Sequence, residues 1–265
     1  MGLKVKREKK RDTDAFDTTQ LHESQHGQIL HRDYSAHFFR WSFAKRLVGK
    51  NDHVLDIGCG QDQPLQKILF RNAAPYAASW TGVDLNKLKP TKHQHSTIFP
   101  EIDFTSPAGF KAVMASRPEG FDVVVHFEII EHMPVDAGKR LLANCYKALK
   151  PGGIMITSTP VYDGKRHAAN HIHEYTAAEL QTAIEKAKFK VERRFGTFMD
   201  IKHIGKMDGT QIIDGIEVGQ VPAGSIKQVR DALACYFDND AISNIFGPLY
   251  PDHARNNLWV CRKDR

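Results

Sequence analysis

The residues best equipped for chemistry in this chain begin at Asp56-Ile57-Gly58-Cys59-Gly60, a glycine turn that follows an apolar run. Glycines at such a turn allow tight backbone geometry and let a ligand approach where a Cβ would intrude. A dinucleotide pyrophosphate loop asks for a third glycine, and that position holds Gln63. The missing glycine and the acidic Asp56 argue against a pyrophosphate and suit a cationic ligand. Asp84, followed by Leu85, closes the next apolar stretch 24 residues beyond Gly60, where a carboxylate can accept both hydroxyls of a ribose. Asp103-Phe104 closes a third; its acid can accept from an adenine amino group while the neighbouring aromatic or backbone packs on the ring. A second constellation follows His126-Phe127. Glu128, Glu131 and His132 stand at i, i+3 and i+4, a spacing that brings three side chains to one face of a helical turn. Farther on, His171-Ile172-His173-Glu174-Tyr175-Thr176 precedes an amphipathic stretch.

These residues need elements to position them, and the periodicity supplies an alternation. Residues 35–48 carry Phe38, Phe39, Trp41, Phe43, Ala44 and Leu47 near helical spacing. This segment is a candidate lid, with Tyr34, Phe39 and Trp41 able to wall a site, although aromatics at such spacing more often pack as core. HVLDIG (53–58) is a short apolar run ending in glycine, the mark of a buried parallel strand. Helices are expected over 63–71, 106–117, 137–150 and 176–189, with strands over 79–85, 98–104, 121–130, 153–160 and 190–196. Ser106-Pro107 and the Thr176/Glu179 capping box mark two of the helix starts. Strand and helix alternating over 53–195 predicts an α/β fold, a doubly wound parallel sheet with helices on both faces. Residues 196–265 read as a C-terminal elaboration, a possible substrate cap with turns at Asp208-Gly209 and Gly247-Pro248 and a last strand over 258–262.

Composition excludes other classes. The 265 residues are 41% hydrophobic and 26% charged, ordinary for a globular chain. No apolar run reaches the ~18–20 residues of a membrane span, and the N-terminus lacks the apolar core of a secretory signal. The four cysteines form no CxxC pair, so a zinc knot or disulfide framework has no basis. A cytoplasmic location is the expectation. The net charge of +6 is concentrated at the ends, with +5 in residues 1–11 and +2 in 262–265, which leaves −1 for the rest. Residues 1–34 read as a basic, flexible extension, a solvated end that could also dock on polyanions.

The motifs, taken together, resemble the class I S-adenosylmethionine-dependent methyltransferases over roughly residues 35–195. VLDIGCG matches their first motif, GVDL the ribose acid, IDF the adenine position, and FDVVVHFEIIEHM with LKPGGIMITSTP the next two. The resemblance implies a Rossmann-like, mostly parallel seven-stranded sheet. It also implies S-adenosylmethionine held by Asp56, Gly58, Cys59, Gly60, Asp84, Leu85, Asp103, Phe104, His126 and Phe127. The strand-four exit lacks the Pro-Pro signature of DNA amino-methyltransferases, and Cys145 lies inside an expected helix rather than in a Pro-Cys pair. The ExxEH run, followed by His171 and its neighbours, is similar to two O-methyltransferase groups, those acting on small-RNA 3′ ends and those of ubiquinone biosynthesis. That similarity implies Glu128, His132 and His171 as catalytic candidates and a divalent ion such as Mg²⁺ or Mn²⁺ on Glu128, Glu131, His132 and His171. His173 is an alternative to His171, and in metal-free relatives the second Glu and the His pin the helix.

The expectation is methylation of a hydroxyl on a small-molecule or nucleoside-like acceptor. An RNA or DNA methyltransferase docking through the basic tail is a rival whose polyanion binding would weaken steeply with salt. A catalytically silent cofactor-binding partner subunit is another. A dehydrogenase is disfavoured by Gln63.

Overall fold

The computed structural model describes residues 32–71, 75–89, 93–165, 168–197, 199, 209–213, 216–221, 224–237 and 239–265. The expected basic extension falls largely on residues 1–31, and Asp208 on 201–208; both stretches lie outside the described residues, as does the side chain of Tyr34.

Helix α1 (Arg32–Leu47) leads into β1 (His53–Ile57), α2 (Pro64–Leu69), β2 (Ser79–Val83), β3 (Ser96–Phe99), α3 (Pro107–Ala115), β4 (Phe121–Phe127), α4 (Val135–Ala148), β5 (Leu149–Pro160), α5 (Ala177–Lys186) and β6 (Lys190–Gly196). A hairpin of β7 (Gly209–Ile213) and β8 (Ile216–Val221), helices α6 (Ser225–Leu233) and α7 (Asn239–Phe246), and β9 (Asn256–Arg262) complete the chain. The main sheet has the order β3-β2-β1-β4-β5-β9-β6, parallel except for β9, which runs antiparallel between β5 and β6. The expected doubly wound, mostly parallel seven-stranded sheet is therefore present. The chain leaves β1 toward β2 on one side and returns to β4 on the other. A crevice opens at the carboxyl ends of β1 and β4, the place where sheets of this kind bind ligands.

Apolar strands run unbroken because both faces are covered, and alternation divides them. Leu55, Val124, Met155, Trp259 and Cys261 face α3, α4 and α5, where Val113, Leu141, Leu142, Cys145, Leu180 and Ile184 meet them. Val54, Val123, Val125, Ile156, Leu258 and Val260 face α1 and α2, where Ala44, Leu65 and Leu69 meet them. Trp41 and Phe43 pack against this second core, while Phe38 on the same helix is exposed. A third, smaller core of Met199, Ile226, Ile242, Phe246, Tyr250 and Ala254 holds the C-terminal elaboration together. It sits against the end of β6, where a Cβ on Gly196 would lie 2.2 Å from the Gly247 carbonyl.

The capping signals are realised. Gly109 N–H donates to Ser106 Oγ at 3.0 Å, and Thr176 and Glu179 form the capping box. Several expected strands differ in extent: β2 ends at Val83 rather than 85, and β9 begins at Asn256 rather than 258. β3 spans Ser96–Phe99 rather than 98–104, because Pro100 offers no N–H and Glu101 turns to φ 56°. β4 stops at Phe127, where Glu128 takes φ 53°. β5 starts at Leu149, which leaves α4 to pair with Phe121. No helix among the described residues is long and apolar enough to cross a membrane.

The last strand lies inside the sheet, hydrogen-bonded on both sides, rather than in a detachable appendage. A chain ending at residue 195 would expose the inward edges of β5 and β6 and lose Trp259 and Leu258 from the two cores. It should show no cooperative thermal unfolding transition; a sharp melt from that fragment would contradict the role given to β9.

Candidate active site

The crevice is built around the turn that ends β1. Gly58 and Gly60 adopt φ 72° and 69°, backbone that a side chain rarely tolerates. Gly58 N–H donates to the Val83 carbonyl at 2.8 Å, and a Cβ there would lie 2.4 Å from Ile129 Cγ2. Gly60 faces open space, with nothing within 4 Å of where its Cβ would stand. Its N–H donates to Asp84 Oδ2 at 2.9 Å, and Asp84 Oδ1 accepts from the Asn86 N–H at 2.8 Å and from Asn86 Nδ2 at 3.1 Å. The β2 acid thus fixes the β1 turn before any ligand arrives. Leu85 beside it is exposed. Gln63, where a dinucleotide loop has glycine, takes a left-handed φ of 47°, and its Nε2 donates to the Lys89 carbonyl.

Other expected residues serve less directly. Asp56 is buried and its Oδ2 accepts from Trp80 Nε1 at 3.1 Å. Burial pushes its pKa up to about 7; the indole hydrogen bond pulls the other way, and the Asp84 charge adds to the rise. Cys59 is buried, with its thiol pKa raised by burial, so the backbone is what it offers the crevice. Asp103 stands four residues beyond β3 rather than at its tip, and Oδ1 accepts from Thr105 N–H and Oγ1 in the turn that starts α3. The Phe104 ring packs in the core against Phe110 at 5.6 Å, which leaves the backbone, the other expected group, to face an adenine. His126 is fully buried beside Thr157 Oγ1 at 3.1 Å, and burial pulls its pKa down to about 3, so it is neutral at pH 7. Phe127 is partly buried against the α1 core.

The second constellation divides. The expected single helical face over Glu128, Glu131 and His132 is not formed, because the left-handed Glu128 breaks the turn and only Ile130–His132 is helical, as one 3-10 turn. Glu128 goes toward α1, where Oε1 accepts from Ser158 Oγ at 2.7 Å and Oε2 from Asn256 Nδ2 at 2.5 Å. Glu131 Oε2 accepts from Thr159 Oγ1 of β5 at 3.0 Å, and Oε1 is buried with no hydrogen-bond partner among the described residues. Burial, and then the charge of Glu128, hold the Glu131 carboxyl well above the usual range. His132 and His171 complete this group, with ligand-capable atoms of the three residues within 4.8 Å of one another. The His171 Nδ1 contacts Glu174, His132 Nδ1 lies 3.1 Å from the Asn170 carbonyl, and the N–H groups of Ile172 and His173 donate to the Glu131 carbonyl. His173 stacks edge-on to Tyr175, outside the cluster of three.

Arg40 was not among the residues the sequence singled out. It is 1% exposed in the middle of α1, Nη2 meets His37, and Nη1 lies 3.8 Å from Glu128 Oε1. Its Nε and Nη1 have no hydrogen-bond partner among the described residues. An arginine within an apolar helical face was the available signal. Ser158, which holds Glu128, was likewise passed over; Asn256, its other partner, belongs to the run 250–257, whose density of hydrogen-bonding groups marks it in the sequence as a candidate lining of the acceptor site or, equally, an ordinary polar turn.

The strand order and the glycine crevice define the class I methyltransferase fold, and a solved S-adenosylmethionine-dependent methyltransferase from Archaeoglobus fulgidus shares it, with a TM-score of 0.52 at 17% identity over 88% of this chain and 95% of that one. Residues 31–194 match the family described as Methyltransferase domain. The chain belongs to that methyltransferase family. It is 30% identical over 182 residues to a probable S-adenosylmethionine-dependent methyltransferase of Mycolicibacterium smegmatis, covering 64% of this chain and 66% of that protein. It is 36% identical over 115 residues to the ubiquinone biosynthesis O-methyltransferase of Idiomarina loihiensis, 43% of each chain. The match thus spans less than two thirds of either relative.

The raised pKa of Asp56 has a consequence for stability. An acid whose folded pKa lies above its unfolded 3.8 contributes stability that is fully present below the unfolded value and lost as pH rises through about 7. The melting temperature of the unliganded protein, relative to that of Asp56→Asn, should therefore fall between about pH 5 and about pH 8.5. A difference that stays constant over this range would show an ordinary carboxyl at position 56.

Proposed function

We propose that this chain transfers the methyl group of S-adenosylmethionine to a hydroxyl of a small-molecule or nucleoside-like acceptor. The observation that carries the reading is the clamp of Gly60 N–H on Asp84 beneath open space at the switch point of the sheet. In this reading Asp84 keeps lone pairs for the ribose hydroxyls. Leu85 and the Asp103-Phe104 backbone border the adenine, and Gly58, Cys59 and Gly60 let the thioether segment lie against backbone. Asp56 backs the turn, while His126 and Phe127 form the floor. The spare donors of Arg40 suit the carboxylate of the amino-acid end.

Methyl transfer is an in-line displacement that removes positive charge from sulfur, and alignment of nucleophile, methyl and sulfur supplies much of the acceleration. A hydroxyl acceptor gains further from a group that takes its proton, and Glu128, His132 and His171 are the candidates. The O-methyltransferase relative supports oxygen as the atom methylated. The elaboration beyond residue 196, against β6, is the proposed cap over the acceptor.

A divalent ion is a second feature of the proposal, favoured by the unpartnered Glu131 Oε1 beside two imidazoles. Glu131, His132 and His171 would hold it, and Glu128, turned toward α1, would not. Such an ion supplies Lewis acidity to an acceptor oxygen. Glu174 contacts His171 Nδ1, the usual arrangement of a carboxylate behind a ligating histidine.

Asp84→Ala should weaken S-adenosylhomocysteine binding at least about tenfold, ~1.4 kcal/mol, in calorimetry while the chain stays folded. A tritiated-methyl screen of nucleic-acid, protein and metabolite fractions should label the metabolite fraction. Binding without any labelling would instead favour a silent cofactor-binding subunit, and label in nucleic acid the polyanion-docking alternative. For the ion, Mn²⁺ titration should give heat with the wild type and none with Glu131→Gln; no heat from either removes the metal.

A further inference from the structure

Glu128 is the most heavily supported side chain on the α1 side of the crevice. Its left-handed backbone, at φ 53°, is a conformation that costs a non-glycine residue free energy and persists only where the surroundings enforce it. The surroundings here are three separate elements. Glu128 N–H donates to the Ser158 carbonyl at 2.9 Å, and the Ser158 hydroxyl donates to Oε1. Asn256, the first residue of β9, donates Nδ2 to Oε2 and is itself buried and held by register against Pro160. Arg40 of α1 supplies the opposite charge at 3.8 Å, too far for a direct hydrogen bond, with Nε and Nη1 still unpartnered.

A buried guanidinium with spare donors and a carboxylate with spare lone pairs, side by side yet not paired through a hydrogen bond, do not satisfy one another. Together they match a ligand that carries one anionic and one cationic group, because each buried charge then gains a partner. The position is adjacent to the glycine turn, since the next residue, Ile129, fills the space a Cβ on Gly58 would need. The amino-acid end of S-adenosylmethionine is such a zwitterion.

We infer that Glu128 receives the ammonium of the cofactor's amino-acid end, which leaves His132 and His171 as the candidates for the acceptor's proton, and that Asn256 is the positioning residue of Glu128. This rests on the cofactor reading above. Asn256 touches no ligand in this assignment. Its amide donates to the carboxylate oxygen that would otherwise rotate away, and Ser158 fixes the other oxygen. The residue that completes the site is thus contributed by the last strand, 128 residues beyond Glu128 in the chain.

The test needs no acceptor. S-adenosylhomocysteine carries the amino-acid end and 5′-methylthioadenosine lacks it, so calorimetric affinities for the two separate this subsite from the adenosine site. Asn256→Ala should lose about tenfold in affinity for S-adenosylhomocysteine and keep its affinity for methylthioadenosine. Asn256→Asp preserves shape but sets a second carboxylate against Glu128. It removes the donated hydrogen bond and changes the charge beside the ammonium, so it should shift S-adenosylhomocysteine affinity several-fold and leave methylthioadenosine affinity unchanged. A residue that only packs would change both affinities or neither, and the isosteric Asn256→Asp serves if Asn256→Ala does not fold. Equal affinities for S-adenosylhomocysteine in wild type and Asn256→Ala, or parallel losses for both compounds, would overturn the assignment while leaving the cofactor reading intact. A wild type that binds neither compound would overturn both.

Discussion

One hydrogen bond organises the crevice, from Gly60 N–H to Asp84 Oδ2. It ties the turn after β1 to the end of β2, and its worth comes from being made by a carboxylate that is buried and already held by Asn86. A charge-assisted bond of this sort fixes the backbone without a ligand. The turn can take that path only because Gly58 and Gly60 tolerate positive φ and because Ile129 closes on Gly58 where a side chain would stand. Strand order supplies the location, glycine the conformation and the acid the restraint.

Polar groups are arranged differently at the two ends of the sheet. At the amino ends of the strands, His53 Nδ1 lies 2.7 Å from both Ser79 Oγ and Arg117 Nη2, and Asp122 receives His53 N–H and the Lys150 ammonium at 2.9 Å. That network is closed. At the carboxyl ends, Arg40 Nε and Nη1, His126 Nε2 and Glu131 Oε1 are buried with no hydrogen-bond partner among the described residues. Each such group costs on the order of 1–3 kcal/mol. Further unmet atoms, Thr197 Oγ1, Tyr250 Oη and Trp259 Nε1 among them, lie in or beside β6, β9 and the C-terminal elaboration, so the unmet polarity of the crevice is part of a wider set.

Legibility in the sequence followed the range of the interaction. Period-two and helical patterns located the five parallel strands, β6 and the flanking helices, because burial of the sheet on both faces writes continuous apolar runs. The caps at Ser106 and Thr176 were legible because capping is local. The ends of β3 and β4 were not. Pro100 and the left-handed Glu128 stop these strands, and a positive φ at glutamate leaves no compositional mark. The same blind spot put Glu128 on a common face with Glu131 and His132, since i, i+3, i+4 reasoning assumes a helix that the backbone does not form there. Phe104 was read from its position beside an acid, whereas its environment is set by Phe110 and the core. Arg40, Ser158 and Asn256 meet Glu128 only through the tertiary fold, so no window of sequence contains them.

The antiparallel last strand explains why the site cannot be read from the first two thirds of the chain. β9 enters between β5 and β6, so residues 256–262 must return after the whole C-terminal elaboration before the sheet closes. Such a long-range pairing is costly in loop closure and forms late in sequence order. Alternation then decides what it delivers. Leu258 and Val260 face the α1 core, and Asn256, two residues earlier on the same side, falls beyond the apolar layer at the carboxyl edge where Glu128 waits. A shift of one residue in register would send Asn256 to the opposite face and expose Trp259 to the α1 side. The hydrophobic register of the final strand is therefore also the device that sets the polar contact, and packing and site geometry are fixed by the same seven residues.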